Sequence, residues 1–194
     1  MKIQRTAPRL PKAPVKCAHD GHHHTKKSAV PHIREAYVDV PHAFLDLADG
    51  HLDSHLIGAA SGAVSALSLA RSFQNFQAGG LIHNIEGAGN LALAASSGVG
   101  ACQAFFGAEG HGGHHHHHHE GIGLVSGLEM AHGVAEMVVG GLEVREGGRT
   151  AIGLTRLVKG GSVLAANLIP GAAPIGQLVH LGAVLAVAAM DPKH

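Results

Sequence analysis

The stretch GAASGAVSALSLA, residues 58–70, places the small residues Gly58, Gly62, Ala66 and Ala70 four positions apart. Positions four apart lie on one face of an α-helix, so this series forms a smooth ridge without bulky side chains. A ridge of this kind lets the backbone of a second helix approach closely. The stretch therefore predicts a helix that packs tightly against another helix.

The same step of four recurs along the chain, which is rich in small residues. Aromatic residues make up only 3% of the sequence, whereas glycine occurs 28 times. Because few bulky side chains are available to fill a core, helix backbones have to pack closely instead. Two further series carry the pattern: Ala88, Ala92, Ser96, Gly100 and Ala104, and then Gly123, Gly127, Ala131 and Ala135. The residues predicted to make the helix contacts are Gly58, Gly62, Ala66, Gly123, Gly127 and Ala131.

Glycine and proline turns divide most of the chain into helical segments. A short amphipathic helix, or two half-helices around Pro41, begins near His32. Five longer segments follow, at 52–76, 81–106, 122–143, 150–169 and 175–190. Short loops between most of them favour antiparallel neighbours. The sequence therefore predicts an all-α, Gly/Ala-rich antiparallel helical bundle of about five to six helices.

The first 31 residues differ from the rest in composition. Residues 1–31 carry seven lysines and arginines against Asp20, together with four prolines and few apolar side chains to bury. This composition is typical of a disordered tail, and a bundle domain is predicted for residues 32–194. The prolines also interrupt the segment where a cleavable signal peptide would need an apolar stretch. We therefore expect a disordered basic tail, no signal peptide, and a cytoplasmic or membrane-associated location.

The formal net charge is zero, but the charges are unevenly distributed. The tail is basic, whereas residues 35–148 carry twelve acidic side chains against only Arg71 and Arg145. The basic tail suits either a solvated arm or contact with anionic lipid. Nucleic acid is disfavoured as a partner, because the tail lacks the aromatic residues that stack on bases.

Two stretches are long enough and apolar enough to contact a membrane. Residues 87–108 and residues 160–190 contain no charged side chain, and a spanning helix needs about 20 apolar residues. Other helices carry charges such as Glu136 and Lys159 in their middle, which are costly in lipid, and aromatic belts are absent. The pattern favours a soluble or self-associating bundle, or one that inserts conditionally through a hairpin at 160–190, over an ordinary polytopic membrane protein.

Histidine is far more frequent than usual, with 19 copies. A loop rich in glycine and histidine is predicted at 107–120. It contains an uninterrupted run made of His114, His115, His116, His117, His118 and His119. A natural run of this kind binds Zn, Ni or Cu loosely, whereas an engineered tag has the same form.

Two further groups have the spacing of metal ligands. His51 and His55 lie four positions apart, so a helix would present both to one metal ion. The zinc-protease motif with this spacing requires a glutamate where Leu52 stands, so peptidase activity is not expected. Glu129 and His132 have the Glu-x-x-His spacing that di-iron helical bundles use.

The acidic face of the predicted third long helix has two other interpretations. Glu129, His132 and Glu136 share one face through spacings of three and seven. That face is either exposed to solvent, or it pairs with Arg156 and Lys159 on the following helix, although exposed pairs contribute little stability.

Common enzyme motifs are missing from the sequence. It contains no phosphate-binding loop, no dinucleotide fingerprint after a strand, no nucleophile elbow and no Cys-x-x-Cys pair. The sequence therefore favours a non-enzymatic protein that associates with membranes or with itself through small-residue helix packing. Its expected partner is lipid or a second copy, and no small-molecule substrate is predicted. Two alternatives stay open: a metal-storage or buffering protein that binds Zn, Ni or Cu, and a secreted membrane-active effector.

Overall fold

The computed structural model describes residues 32–48, 51–106 and 123–190, and these ranges contain helices and short connections but no strand. The six helices are α1 (Ala36–Ala48), α2 (Ser54–Ala78), α3 (Leu81–Phe106), α4 (Leu124–Glu146), α5 (Thr150–Leu168) and α6 (Ala173–Met190). The predicted all-α helical bundle is thereby confirmed. The predicted tail at 1–31 and the loop at 107–120, with its run from His114 to His119, lie outside the described residues.

The six helices form a closed ring. Each helix packs against the helices before and after it in the chain, and α1 also packs against α6. Neighbours run antiparallel: the Ser72 hydroxyl donates to the Gly87 carbonyl at 2.7 Å near the α2–α3 turn, and Gly58 lies against Ala104 far from that turn. We call the end where α2, α4 and α6 begin the upper end, and the opposite one the lower end.

Caps and glycine turns fix the helix ends. The Asp53 carboxylate accepts hydrogen bonds from the backbone N–H groups of His55 and Leu56, at 2.9 and 3.3 Å, and so starts α2. Gly147 ends α4 in the left-handed conformation, with a φ of 76°, which favours glycine. α1 continues through Pro41 as one helix of 13 residues. Because these signals are local, the observed helix ends lie close to the predicted ones.

Glycine brings α4 and α5 into backbone contact along what we call the glycine seam, formed by Gly133, Gly140, Gly153 and Gly160. A Cβ atom on Gly153 would lie 2.6 Å from the Gly140 carbonyl oxygen, and one on Gly160 would overlap the Gly133 carbonyl oxygen. The two contacts are about two helical turns apart on each helix. Only glycine permits this approach at both positions.

The predicted packing residues of α2 lie at or near its contact with α3. A Cβ atom on Gly58 would lie 3.1 Å from the Ala104 Cβ atom, and one on Gly62 would be 3.9 Å from the Ala101 Cβ atom. Ala66, in contrast, is exposed. The α2 ridge therefore packs on α3 through its first two members.

The backbone contact of α4 with α5 lies on a different face from the predicted series, although Ala135 of that series packs against Gly89 of α3. Gly123 precedes α4 and has open space around it, Gly127 is half-buried and Ala131 is exposed. Gly133 lies at the contact with α5 instead. The physical reason is that α4 turns polar side chains such as Glu136 into the ring, and this rotation decides which small residues meet the neighbouring helix.

Candidate functional site

The interior of the ring is charged. Arg156 and Lys159 on α5 are only 1% and 0% exposed. Five carboxylates and a second arginine surround them, which we call, together with these two residues, the charge cluster: Glu35, Asp39, Arg71, Glu86, Glu136, Glu143, Arg156 and Lys159. Such groups are almost never buried unless they are paired. In this ring, ion pairs with the surrounding carboxylates provide the pairing.

Arg156 joins carboxylates from three parts of the ring. Its guanidinium lies 2.9 Å from Glu86 on α3 and 3.5 Å from both Glu136 and Glu143 on α4. It also pairs closely with Glu35, which immediately precedes α1. The planar fork of donors allows one arginine to serve several carboxylates at once.

Lys159 lies among three carboxylates that could otherwise hold a metal ion. Oxygen atoms of Glu35, Asp39 and Glu136 lie within 4.8 Å of one another. The Lys159 ammonium is 2.9 Å from Glu35 and 3.2 Å from Glu136, and it also pairs with Asp39. The side-chain ammonium thus supplies the cation for this acidic group. Of the two interpretations of Glu136, pairing with α5 is the one observed.

Glu35 is the residue that ties α1 to the rest of the cluster. Its carboxylate lies 2.9 Å from the Lys159 ammonium and pairs closely with Arg156. Arg71 of α2 lies 3.2 Å away. Glu35 therefore links the beginning of α1 to α2 and α5.

A cavity of about 570 Å³ occupies the upper half of the ring, and all six helices line it. It reaches the starts of α2 and α6 at Ser54 and Ala173, and extends inward to His132 and His180, about 10 Å along the helix axes. Most of its lining side chains are polar. They are His42, Asp46, Ser54, Ser61, Ser96, Ser97, Gln103, Glu129, His132, Ser162, Asn167, Gln177 and His180.

Comparisons with protein-family models, curated proteins and solved structures found no match for this chain. Its function therefore has to follow from the chemistry of the ring itself. Two features carry that chemistry: the charge cluster in the lower half and the polar cavity above it.

Three buried histidines from different helices line the cavity. The His132 ring lies with Nδ1 3.2 Å from the Gly89 carbonyl oxygen, and the His180 ring has Nδ1 3.3 Å from the Lys159 carbonyl oxygen. The His42 and His180 ring centres are 6.5 Å apart in an edge-to-face arrangement. The ring thus brings imidazoles of α1, α4 and α6 to one cavity.

Glu129 and His132, singled out by their spacing, both line this cavity. The Asn167 amide donates to the Glu129 carboxylate at 3.5 Å. Because they lie three positions apart on α4, both side chains face the same cavity, as expected from the sequence. A di-iron site requires a second Glu-x-x-His pair. On α3 the corresponding residues, His83 and Glu86, occur in the reversed order and do not line the cavity.

His51 and His55 do not share a helix face. Asp53 caps α2 at Ser54, so His51 lies before the helix, and the spacing of four no longer aligns the two rings. Both residues are exposed at the upper end. The His55 ring lies 6.0 Å from that of Phe105. The capping carboxylate of Asp53 decides this outcome, because it starts the helix after His51.

Several site residues were not found from the sequence. Glu35 immediately precedes the short first helix, which carries Asp39 and His42. Their spacings of four and three place such residues on one helix face, a signal that could have found them. His180 did carry a signal, because it is the one ionisable side chain in the apolar stretch 160–190. An isolated ionisable group in such a stretch is a functional-site hypothesis in its own right.

Proposed function

We propose that this chain is an integral membrane protein, a non-enzymatic bundle that lies in lipid and encloses a polar cavity open toward one membrane face. The observation that carries the proposal is the distribution of side chains, which are apolar on the outside of the ring and charged on the inside. A soluble bundle has the opposite arrangement, with its apolar stripe facing the core.

The apolar exterior extends along every long helix. In α2, each exposed side chain between His55 and Gln77 is Ala, Leu or Phe. In α4, each exposed residue between Gly123 and Arg145 is Leu, Ala, Val or Gly. The exposed residues of α6 are apolar throughout. Among the described residues, the exposed charged side chains are Arg34, which precedes α1, and Asp53, Arg145 and Glu146, which lie at the ends of α2 and α4.

The height of this apolar band matches a bilayer. The 21 residues between His55 and Gln77 span about 32 Å, close to the hydrocarbon thickness of about 30 Å. Of the helices that the structure describes, α2 and α6 are long and apolar enough to cross a membrane, and only 28% of each apolar window is buried. The core helix of a soluble protein would be mostly buried. The low burial therefore favours lipid as the surrounding medium.

In the sequence, charged residues in the middle of the helices count against a bundle that spans a membrane. In this ring, the energetic cost of placing those charges in lipid is different. Arg156, Lys159 and Glu136 face inward and pair with one another, and intramembrane ionisable groups typically do so. α5 runs from Thr150 to Leu168, so it is a full helix and not the short first arm of a hairpin. Small-residue contacts such as the glycine seam are also typical of helix packing in lipid.

Flotation with liposomes tests the proposal. Full-length protein purified in detergent is reconstituted into vesicles containing anionic lipid and floated on a density gradient at low and high salt. We expect the protein to float at both salt concentrations, because burial of the apolar band does not depend on ionic strength. Flotation that is lost at high salt would instead indicate attraction through the basic N-terminal segment only.

A matched pair of variants on α3 makes the test specific. Leu91→Asp adds a charge to the exposed apolar band, which costs about 2.5–3.5 kcal/mol at the centre of a spanning helix, so the floating fraction should fall. Asn84→Asp adds the same charge near the lower end and should float like the parent. If Leu91→Asp instead leaves flotation unchanged and improves solubility without detergent, the proposal is wrong.

A further inference from the structure

We infer that the polar cavity binds a small organic cation that carries primary amines, and that the carboxylates of Glu129 and Asp46 pair with those amines. The site goes beyond the proposed membrane function and does not depend on it, because the cavity lies inside the ring. Three observations carry the inference: the size and access of the cavity, a carboxylate without a basic partner, and the kind of polar groups that line the space.

The first observation is that the cavity has room for a molecule. Its volume of about 570 Å³ lies within the roughly 300–1,000 Å³ of small-molecule sites, whereas a water molecule takes up about 30 Å³ in the liquid. The space reaches the upper end of the ring at Ser54 and Ala173, so a ligand can enter there. Most small-molecule sites are lined mainly by apolar side chains, and the polar lining of this one therefore indicates a polar ligand.

The second observation concerns Glu129, a half-buried carboxylate of the cavity wall. Each carboxylate of the charge cluster contacts a lysine or an arginine. For Glu129, the described residues supply the Asn167 amide, at 3.5 Å, and no lysine or arginine. The described lining also contains the carboxylate of Asp46, and histidine is its only basic residue type. Because acidic side chains are seldom buried unless they are paired, this wall favours a cationic ligand.

The cation that fits this wall is an organic molecule and not a metal ion. Among the described residues, the one group of three ligand atoms close enough to share an ion is that of Glu35, Asp39 and Glu136, and the Lys159 ammonium already lies there. The described carboxylates and imidazoles of the cavity do not converge in this way. A longer ligand with two amines does not need such convergence, since each amine can pair with its own carboxylate.

The third observation is the kind of polar groups in the lining, which indicates primary amines. Serine hydroxyls and the amides of Gln103, Asn167 and Gln177 provide oxygen atoms that accept hydrogen bonds, and a primary ammonium has three N–H donors to offer them. Sites for quaternary ammonium ions use aromatic faces instead, and none of the described residues that line the cavity is Phe or Tyr. Lys159 is an example of a primary ammonium held by carboxylates inside this same ring.

The test measures binding of radiolabelled putrescine, a diamine, to the full-length protein in detergent, in about 150 mM NaCl to screen exposed charges. We expect saturable binding of about one putrescine per chain, since such sites are few per protein. Butanediol of the same chain length carries hydroxyls in place of both ammonium groups and should not compete. Tetramethylammonium, which has no N–H donor, should compete poorly. These comparisons use the parent protein and need no variant.

A matched pair of glutamate variants locates the bound amine. Glu129→Gln keeps the shape of the side chain but removes its charge, so putrescine binding should weaken by about 10–100-fold, the usual loss for a charge-assisted hydrogen bond. Glu146→Gln makes the same change at an exposed position at the lower end of α4 and should bind like the parent.

Three results would overturn the inference. They are a parent protein that shows no saturable putrescine binding, competition by butanediol or tetramethylammonium that equals that of unlabelled putrescine, and a Glu129→Gln protein that binds as tightly as Glu146→Gln. Flotation is measured separately, so either proposal can fail without the other.

Discussion

Arg156 contacts four carboxylates, from the start of α1, from α3 and from α4. Removing a guanidinium from water costs several kcal/mol, and this cost is offset only when the surrounding acids are well placed. The acids depend on Arg156 in the same way, because Glu35 and Glu143 are themselves buried. A single side chain thus holds three segments of the ring in one arrangement.

Replacement of Arg156 should therefore be strongly destabilising. Arg156→Met keeps a long apolar side chain but leaves Glu86 without the partner that lies 2.9 Å away. We expect the free energy of unfolding to fall by about 3–5 kcal/mol, the usual result of breaking one side of a buried ion pair. Thermal unfolding in detergent, followed by circular dichroism, measures the change. Arg145→Met, on an exposed position at the lower end, is the control, and equal losses in both variants would contradict the role of the cluster.

At the scale of the elements, the glycine seam sets how closely α4 and α5 approach. Isolated glycine-rich helices are poorly stable, because each interior glycine costs about 1 kcal/mol relative to alanine. The contact between the two backbones offsets this cost. It also brings Arg156 and Lys159 on α5 toward Glu136 on α4, so the seam and the charge cluster depend on the same helix pair.

Substitutions at two adjacent glycines of α5 distinguish the effect of close packing from the effect of helix propensity. Gly160→Ala would place a methyl group against the Gly133 carbonyl, whereas a Cβ atom on Gly161 meets nothing within 4 Å. We expect Gly160→Ala to lower the stability by about 1–3 kcal/mol, as overpacking does. Gly161→Ala should be neutral or stabilising by up to about 1 kcal/mol, since alanine is the better helix former. Thermal unfolding of the two variants under identical conditions provides the comparison, and a Gly160→Ala protein as stable as the parent would rule out the seam.

At the scale of the whole molecule, closure of the ring creates an interior that no pair of helices has alone. Every helix contributes to the cavity, and the charge cluster fills the ring below it. In lipid, this arrangement would give the cavity access to water at the upper end only. The bundle would then hold a polar compartment at membrane depth, closed from the lower side by paired charges.

Access of water to the cavity is testable with single cysteines. Ser97 lines the cavity and its hydroxyl has no hydrogen-bond partner in the described ranges, whereas Ser68 donates to the Val64 carbonyl of its own helix and does not line the cavity. In a background with Cys17 and Cys102 replaced by alanine, Ser97→Cys should react with a small water-soluble thiol reagent. Ser68→Cys should be protected, although both positions are buried. Equal protection of the two cysteines would mean that water does not enter.

The fold and the site differ in how far the sequence predicted them. The ends of α2 follow from Asp53 and from the glycine turn after Ala78, each of which lies next to the helix end that it determines. The spacing of Glu129 and His132 likewise placed both on one face of α4. The link between Glu35 and Lys159, which are 124 positions apart, has no local signal. The ion pairs of the cluster therefore emerged only from the assembled ring.

The sequence by itself determined the helices, their ends and the need for close packing, because propensity, capping and small side chains act over a few residues. Only the tertiary structure decided which face of each helix turns inward. Small residues lie on several faces of these helices, so Gly133 and not Ala131 meets α5 once Glu136 has turned toward its partners. The cavity and its three histidines have the same origin, since α1, α4 and α6 meet only when the ring closes.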